Sequence, residues 1–281
     1  MAIRPVSPDE VITAPYPHVA TANTLVDYDA LNAGFPAEDR FGPQIRMHGD
    51  LTHPDPEYIR LTEEDPSYAR LHEWVYSTGF VTTFLELFDS EIEKYVASGD
   101  LLMDPRTLPI RPEPYEKREE LIGFSNVTKD EAFLFPRLDI GIGKLNYGLV
   151  NGGGGVHVDN LTRLVSILVY IDDNPDMVGG EHRLYRVEDY TPVIDKIYPA
   201  RGNFMVASLQ SNRALHDVNP VTAIKGVRKG MYMAVSCSAE IWRPDPDVRL
   251  QKLTKSRYRP PAAIQALRDV RKFARKTIGL S

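Results

Sequence analysis

Cysteine is nearly missing from this chain: its 281 residues hold one, Cys237. A lone thiol forms no intrachain disulfide, which agrees with a reducing compartment. Its place in the apolar stretch 231–241 marks it as buried and inert. Long apolar runs are missing too. None approaches the roughly 18 residues needed to cross a bilayer, and the opening Met1-Ala2-Ile3-Arg4-Pro5 has no signal-peptide core, so we expect a cytoplasmic protein without a membrane partner. There is no excess of basic charge either. The formal net charge of −6 speaks against bulk affinity for nucleic acid, although the chain from Arg249 onward carries ten Lys/Arg and one acid, Asp269, leaving −15 on the first 248 residues. Such a basic tail is most simply the solvated face of a helix. Nothing in the sequence indicates an oligomeric state.

What is present is ordinary globular material, 42% hydrophobic and 26% charged, enough for one large domain with an extension. The first 60 residues are rich in Pro and Asp, with an apolar stretch over 19–31 that suits a short strand and helix. The segment 41–56 has no periodicity and reads as a long loop. Asp65-Pro66-Ser67 opens a helix running to about Tyr76. Phe80, Phe84, Leu87, Phe88, Ile92 and Tyr95 then recur at helical spacing, with Gly99 as the stop, and predict one helix that backs a sheet.

After a proline-rich, charged connector over 101–129, the apolar period changes from 3.6 to 2. Short runs over 132–142, 143–150, 156–159, 162–172, 181–187, 202–209, 214–218 and 230–241 are rich in Val, Ile, Leu and Tyr and bounded by Gly, Asn and Pro. They predict a mainly β protein with flanking helices, an α+β arrangement around a double-stranded β-helix or jelly-roll core. The expected division is a helical and loop extension over 1–130, the catalytic core over 131–243 and a C-terminal helix within 244–281, opened by Pro260-Pro261.

The core holds a His-x-Asp pair, His157 and Asp159. On a strand, residues two apart point to one face, so an imidazole and a carboxylate can reach one ion. Two histidines and one carboxylate on one side of a metal leave positions open on the other, which suits non-haem Fe(II). His216, 57 positions after Asp159, supplies the second imidazole; His182 is the rival. The glycines at 152–155 are no phosphate cradle, because no Gly-Lys-Ser/Thr follows and a strand comes next, so they read as a flexible rim.

Around the pair stand Tyr147, the glycine run, a strand ending in Tyr170, the Gly179-Gly180-Glu181 turn, His216 and Gly226-Val227-Arg228. In this order, from about Tyr147 to Ser238, the chain resembles the Fe(II)/2-oxoglutarate-dependent dioxygenases, most closely their prolyl-hydroxylase-type branch. The resemblance implies that His157, Asp159 and His216 ligate iron, and it prefers His216 to His182. It implies Arg228 as the cation for the distal carboxylate of 2-oxoglutarate, with Lys225 and Lys229 as neighbouring alternatives, and Tyr170 and Tyr147 in the same pocket. A guanidinium there is a permanent, bidentate partner.

The activity so implied is hydroxylation with release of succinate and carbon dioxide, using Fe(II), 2-oxoglutarate and dioxygen, with ascorbate in support. Relatives that halogenate replace the carboxylate ligand by a small residue, so Asp159 points to oxygen transfer. A small molecule or biosynthetic intermediate is the expected substrate. The alternatives are a peptidyl hydroxylase and a metal-binding cupin-like isomerase or sensor without oxygenase activity.

Overall fold

Each strand of the large sheet sends apolar side chains one way and polar or mixed ones the other. The computed structural model describes residues 2–42, 47–115, 129–148 and 155–247. In β3 (Leu134–Gly143), Leu138 and Ile140 join the main hydrophobic core, while Arg137 and Asp139 line a cavity on the opposite face. β4 (Arg163–Tyr170) repeats the division, with Val165, Ile167 and Val169 in the core and Ser166 and Leu168 in the cavity. So do β7 (Phe204–Leu209), where Met205 and Ala207 oppose Val206 and Ser208, and β9 (Arg228–Cys237), where Met231 and Met233 flank Tyr232. This is the two-residue repeat of a strand covered on both faces.

These strands sit in a six-stranded antiparallel sheet, completed by β1 (His18–Ala22) and β2 (His48–Thr52), in the order β1-β7-β4-β9-β3-β2. A three-stranded antiparallel sheet, β6 (Thr191–Tyr198), β5 (His182–Glu188) and β8 (His216–Val218), supplies the other side of the cavity through His182, His216 and Val218. Two antiparallel sheets around a central cavity form the jelly roll that the short strands predicted.

The helices cover the apolar face. Besides the short α1 (Tyr28–Ala33), they are α2 (Pro56–Glu64), α3 (Pro66–Val75), α4 (Thr78–Leu87) and α5 (Asp89–Ser98). Tyr58, Tyr68, Leu71, Phe80, Phe84 and Ile92 from α2 to α5 are buried in the same cluster as the outward residues of the sheet. The helix ends are set locally. The Asp65 carboxylate accepts from the backbone N–H groups of Ser67 and Tyr68, the Ser77 hydroxyl accepts from Phe80 N–H, and Gly99 ends α5 at φ 73° in the left-handed region that glycine adopts without penalty. Among the described residues no helix is long and apolar enough to cross a membrane.

Several expected boundaries shift. The stripe from Phe80 to Tyr95 belongs to two helices that break at Phe88, whose φ of −106° and ψ of 16° end α4 and start α5; both halves keep their apolar residues on one core, so the spacing conceals the break. The expected loop 41–56 contains strand β2, an edge strand too short and polar to show a period. Residues 145–148 form a turn instead of the start of a strand, and strand β6 and helix α2 were not anticipated. The expected helix after Pro260-Pro261, the basic tail and glycines 152–154 lie outside the described residues.

Phe84 is 1% exposed and packs edge-to-face on Phe80 at 5.1 Å, so Phe84→Ala is expected to cost about 3–5 kcal/mol in urea unfolding. Burial pushes the Cys237 thiol pKa up to about 11. The folded protein should therefore resist iodoacetamide at about pH 8 and react fully once unfolded, a difference read by intact mass.

Candidate metal centre

His157 and His216 meet as a backbone pair. The His157 N–H donates to the His216 carbonyl at 3.0 Å and the His216 N–H donates back at 2.9 Å, a single antiparallel bridge that adds the 157 segment to the edge of the small sheet beside β8. Residues directly opposite each other project their side chains to the same face, and the two imidazole centroids lie 4.5 Å apart. The local reason for convergence thus differs from the one expected. His157 to Asp159 is no regular strand, and cross-chain pairing, not the repeat within one strand, sets the imidazoles side by side.

Both rings are locked in the same tautomer. His157 Nδ1 lies 2.7 Å from the Gly155 carbonyl and His216 Nδ1 2.9 Å from the Ala214 carbonyl. A carbonyl only accepts, so Nδ1 carries the proton and Nε2 keeps its lone pair. Each Nε2 is 3.8 Å from Asp159 Oδ1. Among the described residues, His157, Asp159 and His216 are the one group of three potential ligands whose donor atoms all lie within 4.8 Å of one another.

Asp159 is held from behind. After it the chain turns, with Arg163 N–H donating to the Asn160 carbonyl at 2.8 Å, and enters β4, where the Ser166 hydroxyl donates to Asp159 Oδ2 at 2.5 Å. The Tyr232 hydroxyl lies 3.0 Å from Ser166 Oγ, so a chain of hydroxyls runs from β9 to the carboxylate and leaves Oδ1 toward the imidazoles. Burial pushes the Asp159 pKa up, but attraction from His216, Arg163 and His157, together with the Ser166 hydrogen bond, outweighs it and holds the carboxyl below its ordinary range. For His216, burial followed by repulsion from His157 lowers the pKa. A metal takes an ionised carboxylate and imidazole nitrogens that carry no proton, so its binding competes with protonation of these groups.

Arg228 opens β9 at 5% exposure, with its guanidinium carbon 4.5 Å from the Tyr170 ring centre and 5.2 Å from that of Tyr147. Its Nε and Nη2 are buried with no hydrogen-bond partner. Opposite Arg228 in the sheet stands Gly143, where a Cβ would come 3.1 Å from the Tyr147 ring; glycine there makes room for the tyrosine. The Tyr170 hydroxyl donates to the Gly180 carbonyl at 3.2 Å. The two lysines considered beside Arg228 face elsewhere. Lys229 lies over the Phe35 ring and Lys225 is 83% exposed next to Asp176.

The cavity holds about 570 Å³ and is lined by the three metal-ligand candidates, Tyr147 and His182, and by polar residues of the large sheet such as Arg137, Ser208, Gln210 and Tyr232. Arg228 itself is not in its wall; Tyr147, over whose ring it lies, is. His182, the rival histidine, has its ring 5.5 Å from that of His216 but falls outside the converging group. Burial, then repulsion from His216 and Arg228, puts its pKa well below the ordinary value. Sequence reasoning missed Ser166 and Tyr232, since a serine on a strand carries no sign of the carboxylate it will meet.

Ser166→Ala is expected to leave the fold intact and weaken binding of a divalent transition metal about 10- to 100-fold, while Asp159→Ala removes it. Titration with Co(II), followed by its visible absorption, measures both.

No protein-family model matches the chain, and no curated protein matches it in sequence. Among solved structures it is similar to a prolyl-4-hydroxylase from Pseudomonas putida, at 14% identity over 80% of this chain and 94% of that one, with a TM-score of 0.44. A 2OG-Fe(II) oxygenase family oxidoreductase from Burkholderia pseudomallei matches at 12% identity over 80% and 86%, with a TM-score of 0.42. A prolyl 4-hydroxylase from Phytophthora capsici matches at 17% identity over 78% of this chain, with a TM-score of 0.40, and this chain spans 58% of its length. Likeness at this level is no basis for an activity.

Proposed function

We propose that the protein is an Fe(II)- and 2-oxoglutarate-dependent oxygenase that hydroxylates a small molecule. The observation that carries this reading is the convergence of His157 Nε2, Asp159 Oδ1 and His216 Nε2 in a cavity that has a buried arginine behind its wall. Two neutral imidazoles and one carboxylate on one side of a point are the donor set of ferrous sites that keep positions open. The unpartnered Nε and Nη2 of Arg228 fit an incoming carboxylate, because a buried guanidinium is stable only when its donors find acceptors.

In this reading His157, Asp159 and His216 hold the iron. Ser166 fixes which carboxylate oxygen faces the metal, and Arg228 with Tyr147 and Tyr170 holds the far carboxylate of the keto acid. Bound iron supplies the activation of dioxygen, coupled to oxidation of 2-oxoglutarate to succinate and carbon dioxide. The cavity volume falls within the ~300–1,000 Å³ range of small-ligand sites, and its polar wall supports a small molecule with hydrogen-bonding groups as the substrate.

Purified protein supplied with Fe(II), 2-oxoglutarate and oxygen should release succinate slowly without added substrate, and Asp159→Ala should not. Absence of both turnover and 2-oxoglutarate binding would refute the proposal. Arg228→Leu is expected to raise the KM for 2-oxoglutarate about 30-fold or more, equivalent to ~2 kcal/mol, with metal affinity unchanged. A mass gain of one oxygen on a protein partner in place of a metabolite would move the assignment to a peptidyl hydroxylase.

A further inference from the structure

His182 is a cavity-lining histidine that the metal centre leaves unused. It opens β5, paired with Val218 of β8 on one side and Tyr198 of β6 on the other, and is 9% exposed. Its Nδ1 is buried without a hydrogen-bond partner. Were the position needed only for packing, an apolar side chain would fill it without desolvating a ring nitrogen, because a buried polar atom left unsatisfied costs more than its absence.

The ring lies between two groups of residues. On one side is His216, with ring centres 5.5 Å apart. On the other, two residues earlier, the Gly180 carbonyl accepts from the Tyr170 hydroxyl, and the Gly180 backbone lies against the Arg228 stem: a Cβ there would stand 3.5 Å from Arg228 Cδ. The His182 segment therefore borders both the metal-ligand candidates and the Arg228–Tyr170 pair. Of the buried polar atoms without partners among the described residues, three, His182 Nδ1 and Arg228 Nε and Nη2, belong to the first residues of β5 and β9.

We propose that His182 is a binding residue for the keto acid, donating a hydrogen bond to 2-oxoglutarate along its path from the metal to Arg228. This rests on the oxygenase reading above. The co-substrate would then be gripped by an imidazole as well as a guanidinium.

The test uses full-length protein, loaded with Fe(II) without oxygen and titrated with 2-oxoglutarate while the visible charge-transfer band of the iron–keto-acid chelate is followed. His182→Leu should weaken 2-oxoglutarate binding about ten- to a hundredfold, as loss of a hydrogen bond to a charged group does. His182→Asn, which restores a donor near the position of Nδ1, should recover most of the loss. Co(II) affinity should be the same in all three proteins. A wild-type band with an unchanged dissociation constant in His182→Leu overturns the role of His182 and leaves the oxygenase reading standing. So does a fall in Co(II) affinity that parallels the keto-acid loss, or an Asn variant as weak as Leu. A wild-type protein that takes up iron but gives no band with 2-oxoglutarate overturns the oxygenase reading itself, and this role with it.

Discussion

Two backbone hydrogen bonds between His157 and His216 are the constraint on which the centre depends. They join residues far apart in the chain and place the imidazoles on one face, while each ring donates its Nδ1 proton to the carbonyl two residues before it. What remains at the meeting point is a pair of lone pairs 3.8 Å from one carboxylate oxygen. No long side chain needs to reach, and every donor is held by backbone or by Ser166. Sites of this kind are pre-organised, since little rotamer freedom is left to lose on binding.

The large sheet makes that geometry possible by dividing its two faces. Toward the helices it sends Val, Ile, Leu and Met, and the aromatic residues of α2 to α5 close over them. Toward the small sheet it sends Arg137, Asp139, Ser166, Ser208 and Tyr232. Buried polar groups carry a desolvation cost, so a cavity wall made of them is a feature with use beyond packing. The apolar face supplies the stability and the polar face the chemistry, and the two-residue repeat of the strands keeps the two apart.

The same division explains the glycines around Arg228. Gly143 stands across the sheet from it and Gly180 beside its stem; a Cβ at the first would press on Tyr147 and one at the second would crowd Met177. A guanidinium between two tyrosine rings keeps favourable contact with them while its Nε and Nη2 have no hydrogen-bond partner. That arrangement separates Arg228 from Lys229, one residue on, which the pleat turns to the other face, toward Phe35 and Asp172.

Much of this was legible in the sequence. The change of period after residue 130 marked the passage from helices to sheets, Gly99 marked a helix end, and His157, Asp159 and His216 were named by residue type and order. These signals are local, because a repeat of 2 or 3.6 is written in neighbouring residues. The break at Phe88 escaped because both helices share one core, and β2 and β6 escaped because edge strands with mixed burial show no clean alternation. Tertiary structure alone decided that His157 lies opposite His216, that Ser166 and Tyr232 stand behind Asp159, and that of three neighbouring cations Arg228 is the buried one. Such pairings depend on which strands become neighbours and in what register. Register is set by the packing of the whole sheet, and no short stretch of sequence contains it.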